Sequence, residues 1–172
     1  LSLYNRTEPP AQLGVFTDGD GLTAITAFDG RREPLNYLDS TPTALPYHLL
    51  EKPEVLILGA GGGTDILLAL LHGAPTIDAV ELNPQLVRLV AERFAAFAGH
   101  LYERPGVQVH VAEARSFVAG RRDRYDVIQI PLLDSFAAAA AGTHSLSESY
   151  VYTIEAFEQY LDHLRPGGYL AI

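Results

Sequence analysis

A loop rich in glycine and one carboxylate carry the first chemical signal in this chain. Gly59, Ala60, Gly61, Gly62 and Gly63 form a stretch nearly bare of side chains, so its backbone can turn sharply and come close to a ligand. Glu81, with Leu82 beside it, stands about twenty residues after the first glycine. A carboxylate in that place can take both hydroxyls of a ribose. Thr64 and Asp65 open an apolar run over 66–71, whose helical start would turn free N–H groups to the same side. Together these residues point to a nucleoside.

The elements needed to position them are legible on either side. Residues 54–58 are apolar without alternation, as in a strand buried on both faces of a parallel sheet. His72 and Gly73 close the following helix, with Gly73 as the residue just past its end and Pro75 beyond. A second strand is predicted over 76–82, and Asn83-Pro84 caps and opens a helix over 85–98 that stops at Gly99. Residues 107–111 form a third strand with Glu113 just past it, 114–119 a short helix, and 125–130 a fourth strand. Five alanines, 137–141, read equally as helix or lid. Ser145 and Glu148 fit a capping box for a last helix with Tyr150, Ile154, Phe157, Leu161 and Leu164 on one face. Pro166-Gly167-Gly168 stops it, and a fifth strand begins at 169.

Ahead of this core, 13–17 and 22–28 are β-prone runs around Asp18-Gly19-Asp20-Gly21, which predicts a hairpin. Residues 37–50 read as a short helix and linker. The chain therefore divides, on sequence, into an N-terminal hairpin and linker over 1–50 and a nucleoside-binding α/β unit over 51–172. Strands alternating with helices give a parallel sheet covered on both faces.

Composition narrows the function classes. A net charge of −9 disfavours contact with a phosphate backbone and suits cationic small molecules. Zero cysteine removes disulfides and thiolate chemistry. At 48% hydrophobic residues the chain has no apolar run near the roughly 20 residues that cross a bilayer, which predicts a soluble piece. A chain without Met that stops inside a strand reads as an excised part of a longer protein. The Asp18–Gly21 stretch lacks the ligand and glycine that a calcium loop needs at Leu22 and Thr23. The six histidines show no ligand spacing, so no metal is expected.

Taken together, GAGGG, VELNP, the strand-end Glu113 in VAEAR, YDVIQIPLLDS and LRPGGYLAI resemble the spermidine synthase family, most closely its bacterial branch fused to membrane spans. The resemblance implies a Rossmann-like fold of the S-adenosylmethionine-dependent methyltransferase type, strand order 3-2-1-4-5, truncated after strand five. It further implies transfer of an aminopropyl group from decarboxylated S-adenosylmethionine to a polyamine such as putrescine, a cytoplasmic location and room for a homodimer. Carried over by residue, Gly59 to Gly63 would line the sulfonium nucleoside, Glu81 and Leu82 would meet the ribose, Glu113 and Ala114 the adenine, and Asp134 the diamine.

Two positions depart from the family pattern. The aspartate of the family's GGGDG loop falls on Gly62, and the first aspartate of its DSSDP-like segment falls on Pro131. An amine attacks carbon only when unprotonated, so a diamine site needs carboxylates to hold one end and take a proton at the other. Asp65 and Asp39 are the candidates to replace the missing groups. Three other classes stay in view. A dinucleotide enzyme would need glycine at Thr64. A methyltransferase usually carries an acid where Ile57 stands, and a domain that binds without catalysis fits the proline at 131. The isolated piece is expected to be inactive.

Overall fold

A computed structural model of the chain describes residues 7–17, 21–131 and 150–172. The five alanines, the expected capping box and Asp134 lie outside the described residues, as does Asp18-Gly19-Asp20.

Strands β3 (Val55–Leu58), β4 (Ile77–Glu81), β5 (Val107–Val111), β6 (Tyr125–Gln129) and β7 (Leu164–Ala171) form one parallel sheet in the order β5-β4-β3-β6-β7. That is the expected 3-2-1-4-5 order of a Rossmann-like S-adenosylmethionine-dependent methyltransferase fold. Successive side chains of β3 alternate between two cores. Val55 and Ile57 face one core with Ile66, Leu67 and Val90, while Leu56 and Leu58 face another with Val118, Ala156 and Tyr160. The helices divide accordingly. Helix α2 (Thr64–Leu71) and α3 (Pro84–Arg88) cover the first face, and α4 (Ala114–Ala119) and α5 (Ile154–Asp162) cover the second. The described helices that follow β3 and its neighbour β6, α2 and α5, cover opposite faces, which makes the C-terminal ends of these two strands the switch point where α/β folds take ligands.

Upstream, β1 (Gln12–Thr17) and β2 (Gly21–Thr26) pair antiparallel as a hairpin. A 3₁₀ segment (Glu33–Ser40), a second short one (Pro42–Ala44) and helix α1 (Leu45–Leu49) then lead to β3. This N-terminal part shares a core with the sheet, since Ile25, Phe28, Leu35 and Leu38 are buried among Ile57, Ile77 and Leu68. On the other face a polar group is enclosed. Asp78 accepts from Tyr125 Oη at 3.0 Å and meets His110 Nε2 at 2.7 Å, so this buried carboxylate is satisfied.

Two helices depart from the pattern read in the sequence. The predicted helix over 85–98 runs as α3 only to Arg88, widens into a π turn (Leu89–Arg93) and ends in turns. Its last carbonyls are drawn off the helical ladder, because Phe97 O accepts from Phe28 N–H at 3.0 Å and Gly99 lies against the Phe28 carbonyl. The last helix is capped by Thr153, whose Oγ1 accepts from Ala156 N–H at 3.2 Å. Its buried stripe is Ala156 and Tyr160, whereas Ile154 and Leu161 are exposed. The apolar face expected there is therefore corrected: Phe157 packs beside Ala156 and Tyr160, the helix already ends at Asp162, and Leu164 with Pro166-Gly167-Gly168 belongs to β7 and not to a helix stop.

Candidate functional site

The glycine turn folds over the end of β4. Gly59 and Ala60 N–H both donate to Val80 O at 2.8 Å, which seats the loop directly above Glu81. Glu81 points at it. One carboxylate oxygen accepts from Gly61 N–H at 2.9 Å and the other from Asn83 N–H at 2.9 Å. Each oxygen keeps a further lone pair, and the side chain is half-buried at the crevice. Tyr102 Oη donates to Gly61 O at 2.6 Å and closes the loop from its far side, its own hydroxyl pushed up by burial and by the Glu81 charge.

The glycines themselves have a different reason from the one read in the sequence. A Cβ on Gly62 would overlap the Ala24 carbonyl, and one on Gly63, whose φ is +93°, would overlap Leu101 Cδ2. The loop is bare at those positions because the hairpin and Leu101 pack onto it. Gly62 N–H donates to Thr23 Oγ1 at 2.8 Å and Gly63 N–H to Ala60 O at 2.9 Å, so all five loop amides bond within the protein. Room for a ligand's recognition thus falls mainly to Glu81 and to the first turn of α2, which has no side-chain cap.

Asp65 stands in that first turn. Gln129 Nε2, from the fully buried end of β6, donates to its carboxylate, and Tyr47 Oη donates to Gln129 Oε1 at 2.7 Å. The carboxyl is half-buried, and burial pushes it up to about 6. Burial also raises the Tyr47 hydroxyl, helped by the Asp65 charge. Asp65 therefore lies beside the glycine turn, bonded to a residue two positions before Pro131, at the crevice between β3 and β6.

The remaining candidates sit as follows. Glu113 caps α4, accepting from Arg115 N–H at 2.8 Å, Ser116 N–H at 2.7 Å and Ser116 Oγ at 2.7 Å. Burial would raise its carboxyl, but these three bonds outweigh that and hold it below the usual range. Ala114 is the first residue of that helix, and Leu82 is exposed just beyond β4. Asp39 is not brought to Asp65; its carboxylate meets His72 and His48 instead. Pro131 O accepts from Tyr152 Oη at 3.4 Å. A shallow depression lined by Gln85, Arg88, Leu89, Glu92 and Arg93 shares no residue with this constellation.

Thr23, Tyr102 and Gln129 were not singled out as site residues from the sequence. Gln129 had a signal, a lone amide between Ile128 and Ile130 in a buried stretch, which must find partners. Thr23 and Tyr102 had none, since only the folded chain brings them to the loop.

No protein-family model matches the chain. Among curated proteins, it is 27% identical over 120 residues to the polyamine aminopropyltransferase of Korarchaeum cryptofilum, covering 69% of this chain and 35% of that protein. It is 35% identical over 87 residues to the polyamine aminopropyltransferase of Lachnoclostridium phytofermentans, covering 50% of this chain and 30% of that protein. The chain is similar to polyamine aminopropyltransferases. It spans about a third of the length of those relatives. Among solved structures, spermidine synthase from Thermotoga maritima aligns with TM-score 0.57 at 19% identity, over 84% of this chain and 46% of that one. A spermidine synthase bound to the transition-state analogue AdoDATO aligns at 0.55 and 17%, over 89% and 52%. Human methyltransferase-like protein 13 in complex with SAH aligns at 0.55 and 18%, over 78% and 63%. At these identities the structural likeness shows the fold shared by both groups. Among the described residues no helix is long and apolar enough to cross a membrane.

Proposed function

We propose that this chain is the nucleoside-binding part of an aminopropyltransferase, taking decarboxylated S-adenosylmethionine and passing its aminopropyl group to a diamine such as putrescine. The observation that carries the reading is Glu81, fixed under the glycine turn by two backbone N–H groups with a lone pair left on each oxygen. Two adjacent ribose hydroxyls are the natural donors to such a carboxylate. The names of the curated relatives, and of the neighbours bound to AdoDATO and SAH, support a sulfur-bearing adenosine as the ligand.

In the transfer, an amine lone pair forms a bond to the carbon next to the sulfonium. The carbon–sulfur bond breaks with its electrons on sulfur, a neutral thioether leaves, and the new ammonium sheds a proton. Asp65 is assigned the proton. A carboxyl pushed up to about 6 is mostly ionised at neutral pH and still basic enough to accept. It compensates for Pro131, which stands where the related enzymes would place a carboxylate. Asp134 is kept as the group that holds the far ammonium, Glu113 and Ala114 as the adenine edge. Asp39 has no part in this scheme, because its carboxylate is occupied elsewhere.

A second reading, binding without catalysis, is favoured by Pro131 alone. Turnover separates the two. Full-length protein incubated with decarboxylated S-adenosylmethionine and putrescine is expected to release methylthioadenosine only when both are present. Binding of the nucleoside with no release would favour the second reading, and methyl transfer from S-adenosylmethionine would overturn both.

A further inference from the structure

We propose that Asp39, His48 and His72 form a binding site for one divalent transition-metal ion of the zinc class, at the end of α2 remote from the glycine turn. The three residues come from separate elements: the 3₁₀ segment Glu33–Ser40, helix α1 and the residue that ends α2. Their donor atoms converge. His72 Nε2 lies 2.7 Å and His48 Nε2 3.5 Å from the same Asp39 oxygen, and the three atoms fall within 4.8 Å of one another. Tetrahedral bonds of about 2.0 Å put neighbouring ligand atoms about 3.3 Å apart, so the observed spacings bracket that value. Small side-chain rotations close the difference.

The chemistry of the donors selects the ion. Two imidazole nitrogens and one carboxylate oxygen suit zinc, cobalt, nickel or copper, whereas calcium and magnesium require oxygen shells. Orientation is built in as well. The His72 ring, 15% exposed, is stacked on Tyr47 with centroids 5.2 Å apart, and the His48 ring meets it edge-on at 5.0 Å. Tyr47 is itself held, buried and bonded to Gln129. His48 and Asp39 reach in from the solvent side, so an ion has an entry path. The chain's net charge of −9 adds a favourable field for a cation.

An isolated aspartate–histidine pair would use only Asp39 and His72, whereas here the Nε2 of His48 is turned to the same oxygen and completes a three-donor set. A bound ion would tie the N-terminal segment to α2, and through that helix steady the turn at its other end. The inference stands whether or not the protein transfers aminopropyl groups. It also departs from the expectation that the histidines lack ligand spacing, because their convergence is made by the fold.

The test is titration of tag-free, metal-free full-length protein with Co²⁺, followed by visible absorbance, and with Zn²⁺, followed by calorimetry and thermal melting. One ion per chain, the absorbance of low-coordinate cobalt and a rise in Tm with Zn²⁺ are expected. His48→Ala, at an exposed position, should keep the metal-free Tm while weakening Zn²⁺ binding at least tenfold, and His72→Asn should weaken Zn²⁺ binding at least as much. Equal affinity in wild type and His48→Ala, binding of Ca²⁺ as tight as Zn²⁺, or no stoichiometric ion would overturn the proposal.

Discussion

Asp65 is the residue whose environment makes the sharpest quantitative demand. Burial raises its carboxyl from an ordinary value near 3.9 to about 6, so between those values the folded chain holds the proton that the unfolded chain has released. Stability therefore falls as pH rises through that window, and the penalty is full above about 6. It amounts to on the order of 3 kcal/mol. Asp65→Asn keeps an acceptor for Gln129 and cannot ionise. Urea unfolding at pH 4.5 and 7.5 should show the variant gaining on wild type by that order at the higher pH, and equal pH dependence in the two proteins would remove the assigned burial. The raised carboxyl could not be read from the sequence, where Asp65 is an ordinary first-turn helix residue. Its partner Gln129 was visible only as an amide out of place among apolar neighbours.

At the scale of elements, the joint between the hairpin and the glycine turn is the part the sequence described least well. The glycines were legible as a turn. Their cause was not, because Ala24 and Leu101 are distant in the chain and nothing local says they will land on Gly62 and Gly63. Gly62→Ala, whose Cβ would meet the Ala24 carbonyl, should cost about 1–3 kcal/mol in urea unfolding. An unchanged midpoint would mean that the hairpin does not dock there. The same logic explains the other misreadings. Apolar spacing over 85–98 and 150–164 predicted two long amphipathic helices, yet Phe28 draws the carbonyl of Phe97 away from one, and Thr153 starts the other later with Ala156 and Tyr160 inward. Periodicity records that a face exists; tertiary partners decide which residues use it. Strands 54–58 and 107–111 were read almost to the residue because both are short β-branched or apolar runs bounded by glycine or proline.

For the whole molecule, the N-terminal segment and the sheet share one core, so the hairpin, the glycine turn and α2 move or hold together. Strand order was implied by the family resemblance, and Glu81 was legible from its spacing after the glycines, whereas the meeting of Asp39, His48 and His72 required the folded chain. The account rests on Glu81 as the grip on a sulfur-bearing adenosine. Calorimetry of the full-length protein with decarboxylated S-adenosylmethionine, S-adenosylmethionine and NAD, repeated for Glu81→Ala, tests it most directly. Tightest binding of the decarboxylated form is predicted, together with at least a tenfold loss in the variant, consistent with two charge-assisted bonds of about 1.5–3 kcal/mol each. Undiminished affinity in Glu81→Ala with an unchanged melting curve would contradict it.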